Sequence, residues 1–418
     1  MSPNKTKNTK SINQKTLIAT IDIGKNVHYG YFRSPNNQEM APFKFYNSTQ
    51  SYDTFWHKLC CFQKKHDLEE IIVGFESTGP YAEPIAHYLK KKPVKVVQVN
   101  PMHTKRVKEL TGNSPNKTDR KDPRVIADVI SLGHFLTIIA PQGAAAELRR
   151  LSHARERAIK SKTFFSNQLQ DLVFVIFPEL LETFKASTQT GRYLIQHYAD
   201  PDRIISTDMT VMCDALQKVS RGRCGRDRVE TLYRAAAESV GIKEGKESIL
   251  LEINQLVLLI ENQDKYIKRL EEKLVKYLEQ IPYSQSILSI KGIGPVTAAG
   301  LIGEVGDFGN FKTISEVMKV AGLNLFEISS GKHKGKHHIS KRGRTLMRKL
   351  LFFAAINTVR ADGIMHEKYH RMIDSGMPRI KALVAISRKL LRIIFALARD
   401  NACYDDQYQN KHNYQLAA

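Results

Sequence analysis

Leu17-Ile18-Ala19-Thr20-Ile21-Asp22-Ile23-Gly24 is an apolar run interrupted by one carboxylate and stopped by a glycine. A short run of this kind, rich in β-branched residues, reads as a buried strand. Val27 to Phe32 follows closely enough to form a hairpin with it, and Pro42 to Tyr46 reads as a third strand. From Ser48 to Lys64 the period changes, with Phe55, Leu59 and Phe62 on one helical face. A second buried strand, Glu70-Ile71-Ile72-Val73-Gly74-Phe75, ends at Glu76. A helix over Tyr81 to Leu89 and a strand over Val94 to Val99 come next, closed by Asn100-Pro101. A polar loop containing Gly, Asn and Pro leads to Asp119 and Asp122. A helix then starts with Pro123 at its first position, where proline is preorganised and forfeits no hydrogen bond. This alternation predicts an α/β domain over residues 16–140.

Beyond it the pattern is helical. Ala144 to Phe177 reads as one long helix, basic at Arg149, Arg150, Arg155, Arg157, Lys160 and Lys162, and ended by Pro178. Residues 181–245 hold helical pieces around Val211–Lys218 and Val229–Val240, with a basic turn from Ser220 to Arg226 between them. Ile253, Leu256, Ile260, Gln263, Ile267, Leu270, Leu274 and Tyr277 then keep alternating three–four spacing. That seam predicts a coiled coil or a long bundle helix, and the competing reading is a helix packed within its own subunit. Residues 141–281 are thus expected to be a helical and coiled-coil region. Residues 282–400 form a mainly helical C-terminal domain with apolar helices over Leu346–Asn357 and Ile380–Ala398. Residues 1–15, with four lysines and no acid, read as a disordered basic tail, and 401–418 as a polar tail.

The 418 residues carry 64 Lys and Arg against 42 Asp and Glu, a net charge of +22, which suits a polyanion binder. The five cysteines form no CxxC pair, so neither a zinc site nor a disulfide framework is read from them. No signal peptide and no bilayer span is apparent, and a reducing cytoplasm is the expected compartment.

Against that basic background Lys117-Thr118-Asp119-Arg120-Lys121-Asp122-Pro123 sets two acids three residues apart. With Asp22 and Glu76 at strand ends, four carboxylates suit hard divalent cations such as Mg²⁺, two of which would serve the attacking and leaving oxygens of a phosphodiester. Each acid also has a plainer reading: Asp122 as an N-cap, Glu76 as a cap for the helix after Pro80, Asp22 as a turn residue. Gly292-Ile293-Gly294-Pro295 resembles a helix-hairpin-helix turn, whose glycines let a phosphate approach free helix N–H groups. Ser329-Ser330-Gly331 heads an acid-free segment containing Lys332, Lys334, Lys336, Lys341, Arg342 and Arg344. A serine there is either a nucleophile or a hydrogen-bond donor in a phosphate clamp, and residue chemistry alone favours the clamp. With no Cys or carboxylate near them, His333, His337 and His338 read as phosphate contacts.

The order Asp22-Ile23-Gly24-Lys25, Phe75-Glu76-Ser77-Thr78-Gly79, Lys117 to Asp122, Gly292 to Pro295, Ser330-Gly331 and Ile339 to Gly343 resembles the insertion-sequence transposases of the IS-one-ten family. These are bridge-RNA-guided DNA recombinases related to the Piv-type DNA invertases, and the resemblance runs from Thr16 to Asp400. It implies a RuvC-like, ribonuclease-H-type N-terminal domain with a DEDD tetrad of Asp22, Glu76, Asp119 and Asp122 binding Mg²⁺. It implies a nucleophilic Ser330, next to Ser329, forming a covalent phosphoserine link to DNA. Lys117, Arg120, Lys121, Gly292, Gly294 and the cations after Ser330 would hold nucleic acid. The coiled coil would pair subunits into a dimer or tetramer, and a structured guide RNA would pair with donor and target duplexes. A nucleoid-associated prokaryotic protein is implied. The rival readings are a RuvC-like junction endonuclease without a covalent intermediate, an actin-like or sugar-kinase ATPase, and a non-enzymatic nucleic-acid-binding protein.

Overall fold

The chain divides into two units, residues 1–139 and 140–418. A computed structural model describes residues 12–76, 79–111, 122–137, 141–327 and 337–405.

The first unit is built on β1 (Thr16–Ile23), β2 (Val27–Arg33), β3 (Glu39–Tyr46), β4 (Glu70–Glu76), β5 (Lys95–Val99) and β6 (Phe135–Thr137). Their order in the sheet is β3-β2-β1-β4-β5-β6. The first three strands are antiparallel, β1, β4 and β5 run parallel, and β6 returns antiparallel to β5. Parallel neighbours need a crossover, and the helix between β3 and β4, α1 (Thr49–Lys65), supplies the first. Its N-cap Ser48 accepts a hydrogen bond from the Ser51 amide, and Tyr52, Phe55, Leu59 and Phe62 form its buried face. With α2 (Glu83–Lys90), it covers the side of the sheet formed by Leu17, Ala19, Ile21, Val73 and Phe75. The opposite side, Ile18, Ile72, Val97 and Val99, is covered by α4 (Asp122–Ser131) through Ile126, Val129 and Ile130. Both faces are therefore apolar, and β1 and β4 read as continuous hydrophobic runs for that reason.

Two expectations fail in this unit. Residues 101–111, read as part of a polar loop, form α3 (Pro101–Thr111), started by Asn100, whose side chain accepts from the Met102 amide at 2.9 Å. Asn followed by Pro is a cap and a first helical residue, a signal that the high polarity of the segment masked. The end of the basic tail is also ordered: the Lys15 carbonyl accepts from the Glu69 and Glu70 amides, tying residues 13–15 to the start of β4. Residues 1–11 lie outside the described part.

The second unit opens with α5 (Gly143–Ile176), followed by α6 (Pro178–Thr183), α7 (Gln189–Tyr198), α8 (Pro201–Ile205), α9 (Met209–Ser220) and α10 (Arg226–Ala237). The 33-residue α11 (Lys246–Leu278) runs antiparallel to α5. Arg155 pairs with Glu271 at 2.7 Å near one end, and Leu169 and Val173 meet Ile253, Leu256 and Ile260 near the other. The heptad seam is therefore occupied by α5 of the same chain, as in the reading of a helix packed within its own subunit. Ile253, Leu256, Ile260, Leu270 and Leu274 are buried as the spacing requires, but the last position is Leu278 rather than Tyr277. A straight helix of 3.6 residues per turn drifts off a strict heptad by one position over such a length.

Then come α12 (Ser284–Leu288), α13 (Pro295–Val305), α14 (Ile314–Ala321), the short ribbon β7 (Leu325–Phe326) and β8 (His338–Ile339), α15 (Thr345–Thr358), α16 (His366–Asp374) and α17 (Arg379–Asp400). Every residue of α13 from Ala298 to Val305 is buried, because α5, α11 and α15 all pack on it. Full burial of one aliphatic side chain stabilises by about 1.5–3 kcal/mol, so this apolar helix is the centre of the unit. The polar tail begins in order: the Tyr404 amide donates to the Ser289 hydroxyl at 2.8 Å. Residues 406–418 lie outside the described part.

Candidate nucleic-acid-processing site

Side chains alternate along a strand, so a residue's row decides its face. In β1 the α4 side receives Ile18, Thr20 and then Asp22; in β4 it receives Ile72, Gly74 and then Glu76. The two strands are parallel neighbours, with Ile21 opposite Phe75. One step further along each, Asp22 and Glu76 end adjacent rows on the same face, half-buried at the sheet's carboxyl edge. Such edges are where open α/β sheets place polar chemistry, since the strands stop there and loops begin.

The N-terminus of α4 is fixed at this edge. The Thr20 hydroxyl donates to the Pro123 carbonyl at 2.6 Å in the buried interior, so the residue before Pro123, Asp122, is held beside the strand ends. Its carboxylate pairs with the Lys108 ammonium of α3 at 2.5 Å. Four residues earlier on α3, the Thr104 hydroxyl lies 3.1 Å from Glu76 Oε1. The plainer reading of Glu76 as the cap of the next helix is not what the fold uses: α2 starts after Ala82 without a side-chain cap. Thr104 and Lys108 were missed in the sequence because α3 was. Among the described residues no three His, Cys, Asp or Glu side chains gather closely enough to hold a metal ion. Asp119 lies outside the described residues, as do Lys117, Arg120 and Lys121. The donors present are carboxylate oxygens, which fit a hard divalent cation, and a cationic group already stands against one of them.

The second unit brings together a different set. The segment 328–336, with Ser329, Ser330, Lys332, His333, Lys334 and Lys336, is outside the described residues; its flanks pair as β7 and β8. The ribbon's base is held by backbone bonds from Ser340 to Asn324, Lys341 to Gly322 and Arg344 to Val320. Side chains reinforce it: the Arg348 guanidinium donates to the Ala321 carbonyl and Arg388 to the Leu323 carbonyl, both at 3.0 Å. Lys341 and Arg342 are exposed. His337, read as far from any carboxylate, stands 3.8 Å from Glu327 across the ribbon. His338 packs on the Phe326 ring.

Arg344 is placed differently from its basic neighbours. It precedes the first turn of α15 with its side chain mostly buried, and its guanidinium lies 3.9 Å from Glu304. Burial first, and the charge of Arg149 second, pull it down to about 10, while Glu304 raises it. Glu304 itself is 1% exposed in the last turn of α13 and bonds His153 of α5 at 2.7 Å. Burial pushes its carboxyl up, but the His153 hydrogen bond and the charges of Arg149 and Arg344 outweigh that and hold it below its ordinary value. No sequence pattern marked this centre, because a single acid in an apolar helix resembles a helix-face residue until its partners are known.

The Gly292–Pro295 turn joins α12 to α13. Gly292 has φ of +102°, a left-handed value, and an added Cβ would sit 3.0 Å from the Thr358 methyl. Gly294 is the N-cap residue of α13, with open space where a Cβ would stand. Lys291, Asn357, Arg360 and Asp362 line the adjoining depression of about 410 Å³, and Lys291 pairs with Asp362 at 3.1 Å. Among the described residues no helix is long and apolar enough to cross a membrane.

Residues 19–178 match the DEDD transposase family of IS110 elements, described as "Transposase", and residues 284–370 match "Transposase IS116/IS110/IS902 family". The chain is 23% identical to the insertion element IS110 43.6 kDa protein of Streptomyces coelicolor, over 93% of this chain and 95% of that one. It is 25% identical to the transposase for insertion sequence element IS1111A of Coxiella burnetii, over 69% of this chain and 68% of that one. A pilin gene-inverting protein of Moraxella lacunata is 30% identical over 32% of this chain and 42% of its own.

Proposed function

The chain belongs to the IS110 family of transposases, and from that premise we propose that it cuts and rejoins DNA with a divalent-metal site in the first unit and a serine nucleophile in the second. The observation that carries the first part is the pair of strand ends: Asp22 and Glu76 finish adjacent parallel strands on the face that α4 covers, and α4 begins with Asp122. A mixed sheet with helices on both faces supports reading the unit as RuvC-like. Asp119, three residues before Asp122, completes the acid set in this reading.

Asp22, Glu76, Asp119 and Asp122 would hold Mg²⁺, which when bound would supply Lewis acidity to a scissile phosphate. The chain's own residues do the rest. Thr104 orients Glu76 by donating to it, and Lys108 pairs with Asp122 and holds its carboxylate beside α3. Ser330 bonds its Oγ to phosphorus as the bond from phosphorus to one sugar oxygen breaks. The serine proton leaves, the released sugar oxygen takes one up, and the phosphodiester is conserved as a phosphoserine for rejoining. Lys341 and Arg342, exposed beside the β7–β8 ribbon, hold the phosphate. Guidance by a structured RNA and assembly as a homo-oligomer belong to the same reading.

The test is a trapped strand. Native protein with Mg²⁺ and a DNA junction is expected to yield a covalent protein–DNA adduct that survives denaturant, and Ser330→Ala is expected to yield none. If Ser330→Ala still cuts and no adduct forms with the native chain, the activity is that of a RuvC-like endonuclease instead. Asp22→Asn and Glu76→Gln are expected to abolish cutting while DNA binding persists; cutting that survives both changes would remove the acids from the mechanism.

A further inference from the structure

Helix α16 contains no buried residue, yet it lies along α17. Lys368 and Arg371, three apart on α16, and Lys389 and Arg392, three apart on α17, each occupy one face of their helix. Lys368 is half-buried, and its ammonium is drawn below its ordinary value first by burial and then by Lys389, Arg371 and Arg392. With α16 packed along α17, Lys368 of the one helix stands within electrostatic reach of Lys389 and Arg392 of the other. No carboxylate enters the balance at Lys368. The helix's own acids, Glu367 and Asp374, are exposed, and among the described residues none of the four cations forms an ion pair.

Like charges gathered on two packed helices oppose that packing, and among the described residues no ion pair offsets them. An external polyanion does. Duplex DNA carries about one charge per 1.7 Å of its axis and releases counterions when cations meet it. We propose that the paired basic face of α16 and α17 docks the phosphate backbone of duplex DNA, in a unit of the chain that does not contain the acids. The proposal rests on the reading of this protein as a DNA-acting transposase. It assigns a surface to Lys368 and Arg371 of α16 and to Lys389 and Arg392 of α17.

The full chain, free of divalent metal, should be titrated with a short DNA duplex over a series of salt concentrations, reading fluorescence anisotropy. Arg371→Gln with Arg392→Gln removes one exposed cation from each helix and is expected to reduce the slope of log affinity against log salt by about 2. Arg371→Lys with Arg392→Lys keeps the charge and is expected to restore most of the slope. Lys265→Gln with Lys268→Gln, exposed on α11, is expected to leave it unchanged. The proposal fails if the slope for duplex DNA does not move, if the α11 pair lowers it equally, or if the loss appears only with a structured RNA of equal length. None of these readings depends on strand cleavage, so an inactive acid site or serine would not alter the outcome.

Discussion

Gly303 meets the backbone of Arg149 so closely that a Cβ at this position would lie 2.6 Å from the Arg149 nitrogen and 2.8 Å from its Cα. Two helices, α13 and α5, touch backbone to backbone there. The contact places the next residue, Glu304, against His153, one turn beyond Arg149. Gly303→Ala forces the helices apart, since the clash is with backbone that cannot rotate away. We expect a loss of about 3 kcal/mol in urea unfolding, at the upper end for overpacking. A loss below the few tenths typical of a surface change would show that the two helices are not held at this distance.

Glu304 also sets a pH dependence. Its folded carboxyl is held below the ordinary value of 4.5 despite burial, so its contribution is present in full above that value and fades as pH falls through the lower folded one. Glu304→Gln, which keeps the shape and removes the charge, should flatten the acid limb of the stability curve below about pH 4.5. It should also lower stability at neutral pH, because Arg344 and Arg149 lose the carboxylate that offsets them. Melting curves across pH 3–7 check both parts, and an unchanged acid limb would exclude Glu304 as its source.

Thr20 links the sheet to the acid edge. Thr20→Val keeps the volume but leaves the buried Pro123 carbonyl without this donor, at a cost of about 1 kcal/mol in unfolding. The larger expected effect is on DNA cutting, because Asp122 is positioned by the residue that Thr20 holds. A variant that loses stability but keeps full cutting would detach Asp122 from this anchor.

The α5–α11 pair makes a prediction about assembly. Leu270→Ala and Ile260→Ala empty buried positions between helices of one chain and should each cost about 2–5 kcal/mol. Because the partner helix is in the same chain, the loss should not depend on protein concentration. A loss that shrinks as concentration rises would show that the seam is shared between copies.

In the first unit most of the architecture was legible. Strands β1, β2, β4 and β5 and helix α1 carry strong local patterns, because a residue buried on both faces of a sheet or on one face of a helix must be apolar. Asp22 and Glu76 stood out for the same reason, as charges closing runs that otherwise exclude charge. What local pattern could not supply was the partner of each feature. The heptad spacing required a helix to cover the seam without saying whose; only the fold shows that α5 of the same chain does. Helix α3, with Thr104 and Lys108, escaped because its solvated faces carry no apolar period. The side chains of His153, Glu304 and Arg344 lie about 150 and 40 residues apart in the chain, and they meet only once α5, α13 and α15 are packed. Periodicity is a property of one element and is written in sequence; the pairing of distant charges is decided by which elements touch, and tertiary structure alone decides that.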